Sequence, residues 1–250
     1  MKVVELYSDA DHQWLILGRD PEKPENIMDT NQFLVLHSGK GLLAEPGGIE
    51  LFAPMLRSVL EYIAVEDIQQ VFVSHQDPDL TSSLGLWDDV LPNGTPVHGP
   101  WIWEGFLRHF GLDHTEYKGI PDDGSTIAIG GLGLQAIPAH FCHSSGNFQL
   151  YDPEAKLLMS GDMGMAIEPG QSEAPFFCRD FDSHIRHMEP LHRRWMPSKQ
   201  AIRAWAERVQ HLDIQVMAPQ HGRVLWGDDV QRFLNWVCEL NVGPDANTGD

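Results

Sequence analysis

Three potential metal ligands fall within five residues of this chain, His75, Asp77 and Asp79 in the run Ser74-His75-Gln76-Asp77-Pro78-Asp79-Leu80. No other stretch restricts the fold as tightly. Val71-Phe72-Val73 before it reads as a short buried strand, and Leu80, Leu84, Trp87 and Leu91 after it recur at helical spacing. The ligands therefore sit on a turn between a strand end and a helix start, where α/β sheets build their sites. Alternate residues of an extended turn point to one side. His75 and Asp77 can then hold one ion while Asp79 reaches a neighbour, which suggests a binuclear centre.

Three further turns carry the same kind of load. Ser125 to Ile129 and Leu132 to Ile137 read as a hairpin about Gly130-Gly131, and its second strand delivers the chain to Ala139-His140-Phe141-Cys142-His143-Ser144-Ser145-Gly146-Asn147. A second hairpin, Phe148 to Tyr151 with Leu157 to Ser160, ends at Gly161-Asp162, and a strand over Ile214 to Ala218 runs into Pro219-Gln220-His221-Gly222. Four strands thus end in ligand-bearing turns.

Elsewhere, Val3 to Tyr7, Trp14 to Leu17 and Phe33 to His37 are strand candidates. Gly39-Lys40-Gly41 and Pro46-Gly47-Gly48 read as turns. Phe52, Met55, Leu56, Val59, Leu60 and Ile63 mark one face of an amphipathic helix. Further helices are expected over Trp101 to Phe110, Phe181 to Trp195, Ser198 to His211 with Ser198 as cap, and Val230 to Leu240. Glu168 to Arg179 reads as a surface loop or flap, and Asn241 to Asp250 as a frayed tail. Two strand-rich halves, each followed by helices, suit an α/β sandwich of two β-sheets with helices on the outer faces.

With 250 residues, 42% of them hydrophobic, the chain can bury a full core, and it is read as a single domain over 1–250. Its formal net charge of −19 repels phosphate backbones and anionic lipid heads, so neither nucleic acid nor a membrane surface is expected as a partner. No run approaches the roughly 20 apolar residues of a membrane helix, and the N-terminus lacks an apolar stretch of signal-peptide length; a cytoplasmic protein is expected. Cys142, Cys178 and Cys238 are odd in number and form no C-x-x-C pair, which excludes a disulfide framework or a zinc ribbon.

In chain order the loaded turns are H-x-D-x-D at His75, H-S-S-G-N at His143, G-D at Asp162 and H-G at His221. This order resembles the metallo-β-lactamase fold, an αββα sandwich, and the resemblance covers nearly the whole chain. Zinc hydrolases of that fold, such as glyoxalase II and the lactamases, carry H-x-H-x-D-H, whereas here the corresponding positions are Asp77 and Leu80. Carboxylate in place of imidazole makes a harder site and moves preference from zinc toward iron or manganese.

The sequence looks like the di-iron branch. It resembles the lactamase-like domain of flavodiiron proteins and their flavin-free, oxygen-binding relatives; the stretch from His192-Arg193-Arg194-Trp195-Met196-Pro197-Ser198 to Ala218-Pro219-Gln220-His221-Gly222 is similar to the second half of that group. The resemblance implies that His75, Asp77 and His143 hold one iron, that Asp79 and His221 hold the other, and that Asp162 bridges them. Leu80, where hydrolases have a ligand, leaves an open position. The pattern favours His143 over His140 as the third ligand, with His140 left beside the first ring of ligands. His184, His187 and His192 are candidates for the same supporting place.

Implied with the resemblance are two Fe ions cycling between Fe2+ and Fe3+, with Zn or Mn as alternatives, no flavin and no flavodoxin domain. O2 or NO would be the ligand, and a signalling protein or an external electron donor the partner. A homodimer stays open, although a chain without flavin loses the flavodiiron reason to pair. The reading is a binding protein that senses oxygen or iron. The alternatives are an O2 or NO reductase fed by a separate donor, which makes it an oxidoreductase, or a metal-dependent hydrolase; no catalytic residue is assigned.

Overall fold

A computed structural model describes residues 1–24, 26–170 and 173–247. Strands β1 (Lys2–Ser8), β2 (His12–Gly18), β3 (Gln32–His37), β4 (Lys40–Ala44), β5 (Ile68–Phe72), β6 (Pro96–Pro100) and β7 (Glu116–Ile120) lie side by side in that order in one sheet. A second sheet takes the order β13-β12-β11-β10-β9-β8, from β8 (Ser125–Ile129), β9 (Leu132–Pro138), β10 (Phe148–Asp152), β11 (Leu157–Gly161), β12 (Val216–Pro219) and β13 (Leu225–Trp226). The helices are α1 (Phe52–Val59), α2 (Pro78–Thr81), α3 (Leu84–Val90), α4 (Glu104–Leu107), α5 (Phe181–Trp195), α6 (Lys199–Val209) and α7 (Asp228–Glu239).

Side-chain alternation along the strands explains the layering, because successive residues face opposite sides of a sheet. In β2, Trp14 and Ile16 join Phe148, Leu150 and Met159 of the other sheet in the inner core, while Leu15 and Leu17 join Met55, Val59 and Trp87 beneath the helices α1 and α3. In the second sheet Leu157, Met159 and Ala218 face inward, and Leu158 and Met217 face Met188, Ile202, Trp205 and Phe233 of α5, α6 and α7. Three apolar layers between four structural ones make the αββα sandwich of the lactamase-like fold. Among the described residues no helix is long and apolar enough to cross a membrane.

Several expectations are corrected. Lys40 and Gly41 do not belong to a turn but start β4, which pairs with β3 across Ser38-Gly39; a Cβ on Gly41 would lie 2.9 Å from Ile63 Cδ1, so the glycine serves close packing. Leu60 is 54% exposed, because α1 stops at Val59 and the chain turns back. The helix after His75 is two short ones, α2 and α3, although Leu80, Leu84, Trp87 and Leu91 are all buried as the spacing requires. β7 and β13 carried too little apolar pattern to be seen. The stretch from Glu168 to Arg179 is more than a surface loop, since Glu168, Phe176 and Cys178 are buried and Phe177 bridges Val224; positions 171 and 172 lie outside the described residues. In the expected tail Val242 is buried and 243–247 form a 3-10 turn, while 248–250 lie outside the described residues.

Candidate metal centre

All four ligand-bearing turns leave the carboxyl ends of their strands on the same edge of the sandwich. β5 is parallel to β4 and β6, and β11 is parallel to β12 with Gly161 opposite Pro219, so Asp162 and His221 emerge side by side. Gly161 takes φ +54, which turns the chain sharply after β11. The two sheets are tied here, because Phe148 N–H donates to the Ser74 carbonyl (3.0 Å) and Ser144 Oγ donates to Gln76 Oε1 (2.7 Å). The turn of His75 is thereby fixed against the loop of His143.

His75 Nε2 lies 3.5 Å from Asp77 Oδ2 and 3.3 Å from Asp162 Oδ2, and His143 Nε2 lies 3.0 Å and 3.4 Å from the same two oxygens. One ligand atom from each of these four residues falls within 4.8 Å of all the others. On the far side, His221 Nε2 is 3.3 Å from Asp79 Oδ2 and 3.6 Å from Asp162 Oδ1. Ligands about 2.1 Å from an ion stand about 3.0 Å apart at right angles and about 3.4 Å apart at a tetrahedral angle, so His75, Asp77, His143 and Asp162 are spaced as ligands of a first-row ion, and His221 stands at comparable distances from Asp79 and Asp162. Asp162 turns one oxygen to each group.

Two orphaned atoms test the fit to a metal. Asp162 Oδ1 and His75 Nε2 are buried and neither finds a hydrogen bond of acceptable geometry, although both point into the space between the turns. Buried polar atoms are normally satisfied, and a cation held between these turns would satisfy both. The supporting bonds leave the correct nitrogens available. His221 Nδ1 faces the Asp29 carbonyl at 2.9 Å, which can only accept, so Nδ1 holds a proton in either charge state and Nε2 is the nitrogen that a metal would take in exchange for its proton. His75 Nδ1 lies 2.8 Å from Ser74 Oγ and can donate to it in the same way.

Electrostatics agree. Burial alone would lower the His221 pKa, but the Asp79 and Asp162 carboxylates outweigh it and raise the group to about 9. His75 is raised against the same burial penalty by Asp162 and Asp77. Burial opposes ionisation of Asp162 and Asp77, yet the neighbouring imidazoles hold both below the ordinary carboxylate range. His75 and His221 thus face an excess of carboxylate, which a pair of divalent ions would balance as the ligands gave up their protons.

Residues that the sequence reading missed fix these positions. Gln76 Nε2 donates to Asp77 Oδ1 (2.9 Å) and Gln220 Nε2 to Asp79 Oδ2 (3.2 Å). Glu45, buried with φ +55, accepts from Ser74 N–H; burial, only partly offset by His75 and Ser74, pushes its carboxyl up to about 7. The turn of His221 is clamped from the other sheet: Arg19 Nη2 donates to Gly222 O (2.6 Å), Asn31 Nδ2 to Pro219 O (2.7 Å), and Asn31 N–H to Gln220 O (2.6 Å). Glu, Gln, Asn and Arg in ordinary spacing carry no local signal of such roles.

Of the supporting histidines, His192 is buried behind the Asp162 turn, where its Nε2 accepts from Gly164 N–H at 3.1 Å. His184 lies 3.7 Å from Glu168, and Ile167 N–H donates to the His187 carbonyl, so both back the segment after Asp162. His140 places Nε2 3.0 Å from the Asp122 carbonyl and its ring edge-on to Phe148, so its polar contact is made with Asp122. Leu80 is fully buried in the apolar cluster beneath the first sheet and offers no donor. His143→Ala is therefore expected to lose most bound metal and His140→Ala to keep it, as measured by metal analysis of the two folded variants; the reverse pattern would assign the wrong histidine.

A family model described as ODP family beta lactamase matches residues 28–222. Among solved structures, one described as the peroxy diiron species of chemotaxis sensor ODP has a TM-score of 0.86 and 34% identity, covering 98% of this chain and 97% of that one. The apo state of chemotaxis sensor ODP from T. denticola gives a TM-score of 0.85 with 34% identity over 98% of this chain and 96% of that one. A flavo di-iron protein variant from Thermotoga maritima shares the fold at a TM-score of 0.78 with 18% identity, over 95% of this chain and 62% of that one. An uncharacterized protein of Methanocaldococcus jannaschii is 22% identical over 225 residues, 87% of this chain; the chain spans about half (54%) of the length of that curated relative.

Proposed function

Since this chain belongs to the ODP family beta lactamases, we propose that it is an oxygen-binding di-iron protein that reports oxygen or iron status to a signalling partner. The observation that carries this reading is Asp162, a buried carboxylate with Oδ2 toward His75 and His143 and Oδ1 toward His221. His75, Asp77 and His143 would hold one ion, Asp79 and His221 the other, and Asp162 would give one oxygen to each. Three carboxylates in the set support iron over zinc. Bound iron supplies one-electron chemistry and coordination positions for a diatomic gas.

The protein's own part is orientation and exclusion. The Asp29 carbonyl keeps a proton on His221 Nδ1, Ser74 Oγ orients the His75 ring through Nδ1, Gln76 and Gln220 hold the outer carboxylates, and the Arg19 and Asn31 clamp fixes the turn of His221. Similarity to a chemotaxis sensor over nearly the full chain supports a sensing role with a protein partner. Protein prepared without air and given ferrous iron is expected to hold about two ions per chain, as two ligand groups sharing a carboxylate require. On admission of air it should develop a visible absorption band that persists without reductant. One zinc and no iron would remove the di-iron reading, sustained O2 consumption with a reductant would replace sensing by reduction, and ester or thioester cleavage would make the site a hydrolase.

A further inference from the structure

The six site side chains are unequally sheltered. Those of His75, Asp162 and His221 are 1%, 2% and 3% exposed, whereas those of His143, Asp77 and Asp79 keep 21%, 27% and 26%. The centre therefore has one open edge. On His143, at that edge, rests Trp195, with ring centroids 5.2 Å apart and planes inclined by 30°.

The chain fixes this indole from both directions. α5 ends at Trp195 because Pro197 disfavours helical backbone at Met196, which takes φ −74 and ψ 116 and is buried with Ile202 and Trp205. One turn back, His192 Nδ1 faces the Met188 carbonyl at 2.9 Å and so must donate, which leaves Nε2 to accept from Gly164 N–H, two residues beyond Asp162. The same helix thus grips the turn of the bridging carboxylate and covers a terminal histidine. The helix that carries Trp195 is held in place at His192, whose ring also packs edge-on to Phe233 and Trp236.

We propose that Trp195 is the steric filter of the metal centre: its indole leaves room at the open edge for an exogenous ligand of two or three atoms and excludes a flat ring. The proposal deepens the reading of this site as a metal centre and rests on it. The filter acts on the incoming ligand and is not needed for metal uptake, so the two readings separate by experiment.

Cobalt(II)-substituted protein provides the readout, with azide and imidazole as probes titrated against the visible cobalt bands of the parent, Trp195→Phe and Trp195→Ala. Cobalt content is measured first. In Trp195→Ala imidazole affinity is expected to rise by about tenfold or more while azide affinity changes by less than about threefold. Trp195→Phe, which keeps a ring over His143, should stay close to the parent. A folded, cobalt-loaded Trp195→Ala protein with an unchanged imidazole-to-azide ratio overturns the filter, as does a parent that binds imidazole as tightly as azide. A folded parent that takes up no cobalt overturns the metal reading itself. Should Trp195→Ala fail to fold, Trp195→Leu removes the ring while filling the space, and the same ratio decides.

Discussion

Asp162→Asn is expected to lower iron content from about two ions per chain to less than one, because among the described residues this carboxylate is the group that faces both ligand clusters. An amide can offer only its neutral oxygen to one side. The other side would meet an N–H2 group aimed at a cation, a repulsive contact in a site where Asp162 is 1% exposed. Loss of a partner that merely orients a ligand costs about 10- to 100-fold in metal affinity, and loss of a shared ligand should exceed that. The substitution also withdraws a negative charge from beside His75 and His221, one of the charges that raise both their pKa values in the metal-free protein. Metal analysis after anaerobic loading gives the answer, with the exposed Asp122→Asn as a control that keeps both ions. A folded Asp162→Asn protein with two tightly held irons would remove the bridging assignment.

Arg19→Met is expected to cost about 3 to 5 kcal/mol of stability, the range for removing one partner of a buried ion pair. The Arg19 side chain is 1% exposed, adopts φ +53, donates from Nη1 to Asp29 Oδ2 and Asn31 Oδ1 at 3.1 Å each and from Nη2 to Gly222 O, and lies 4.8 Å over the Phe176 ring. Met keeps the apolar stem but leaves the Asp29 carboxylate, 2% exposed, without the guanidinium that balances it. Adding Asp29→Asn should recover part of the loss, since a neutral amide needs no countercharge. Because Asp29 also presents the carbonyl that orients His221, metal affinity should fall along with stability. Urea unfolding of the metal-free proteins measures the first effect and iron titration the second. A loss below about 1 kcal/mol in Arg19→Met would show that the cluster is not under the strain of burial assumed here.

What could be read from the sequence was local. Strand alternation, helical spacing and the loaded turns at His75, His143, Asp162 and His221 are properties of short windows, and they were enough for a two-sheet sandwich with ligand-bearing turns; the division of the residues into a ligand set came from the family resemblance. They were not enough where neighbours in space decide. Gly39-Lys40-Gly41 looked like a turn because glycine is common there, yet pairing with β3 and β5 makes Lys40–Ala44 a strand, and Gly41 is there to admit Ile63.

The choice between His140 and His143 needed a family pattern at the level of sequence, and the geometry parts them plainly: the loop after β9 sends His143 to Asp77 and His140 to Asp122. That Asp162 faces two ligand groups follows from the register of β11 on β12, and that Arg19, Asp29 and Asn31 clamp a turn some 190 residues away follows from closure of the sandwich; Asn31 and Gly222 are 191 positions apart. Trp195 had no reason to stand out among eight tryptophans until α5 laid it on His143. Ligand identity is written in side-chain chemistry, which any stretch of sequence displays. Ligand geometry depends on contacts between segments distant in the chain, and those exist only once the two sheets have packed.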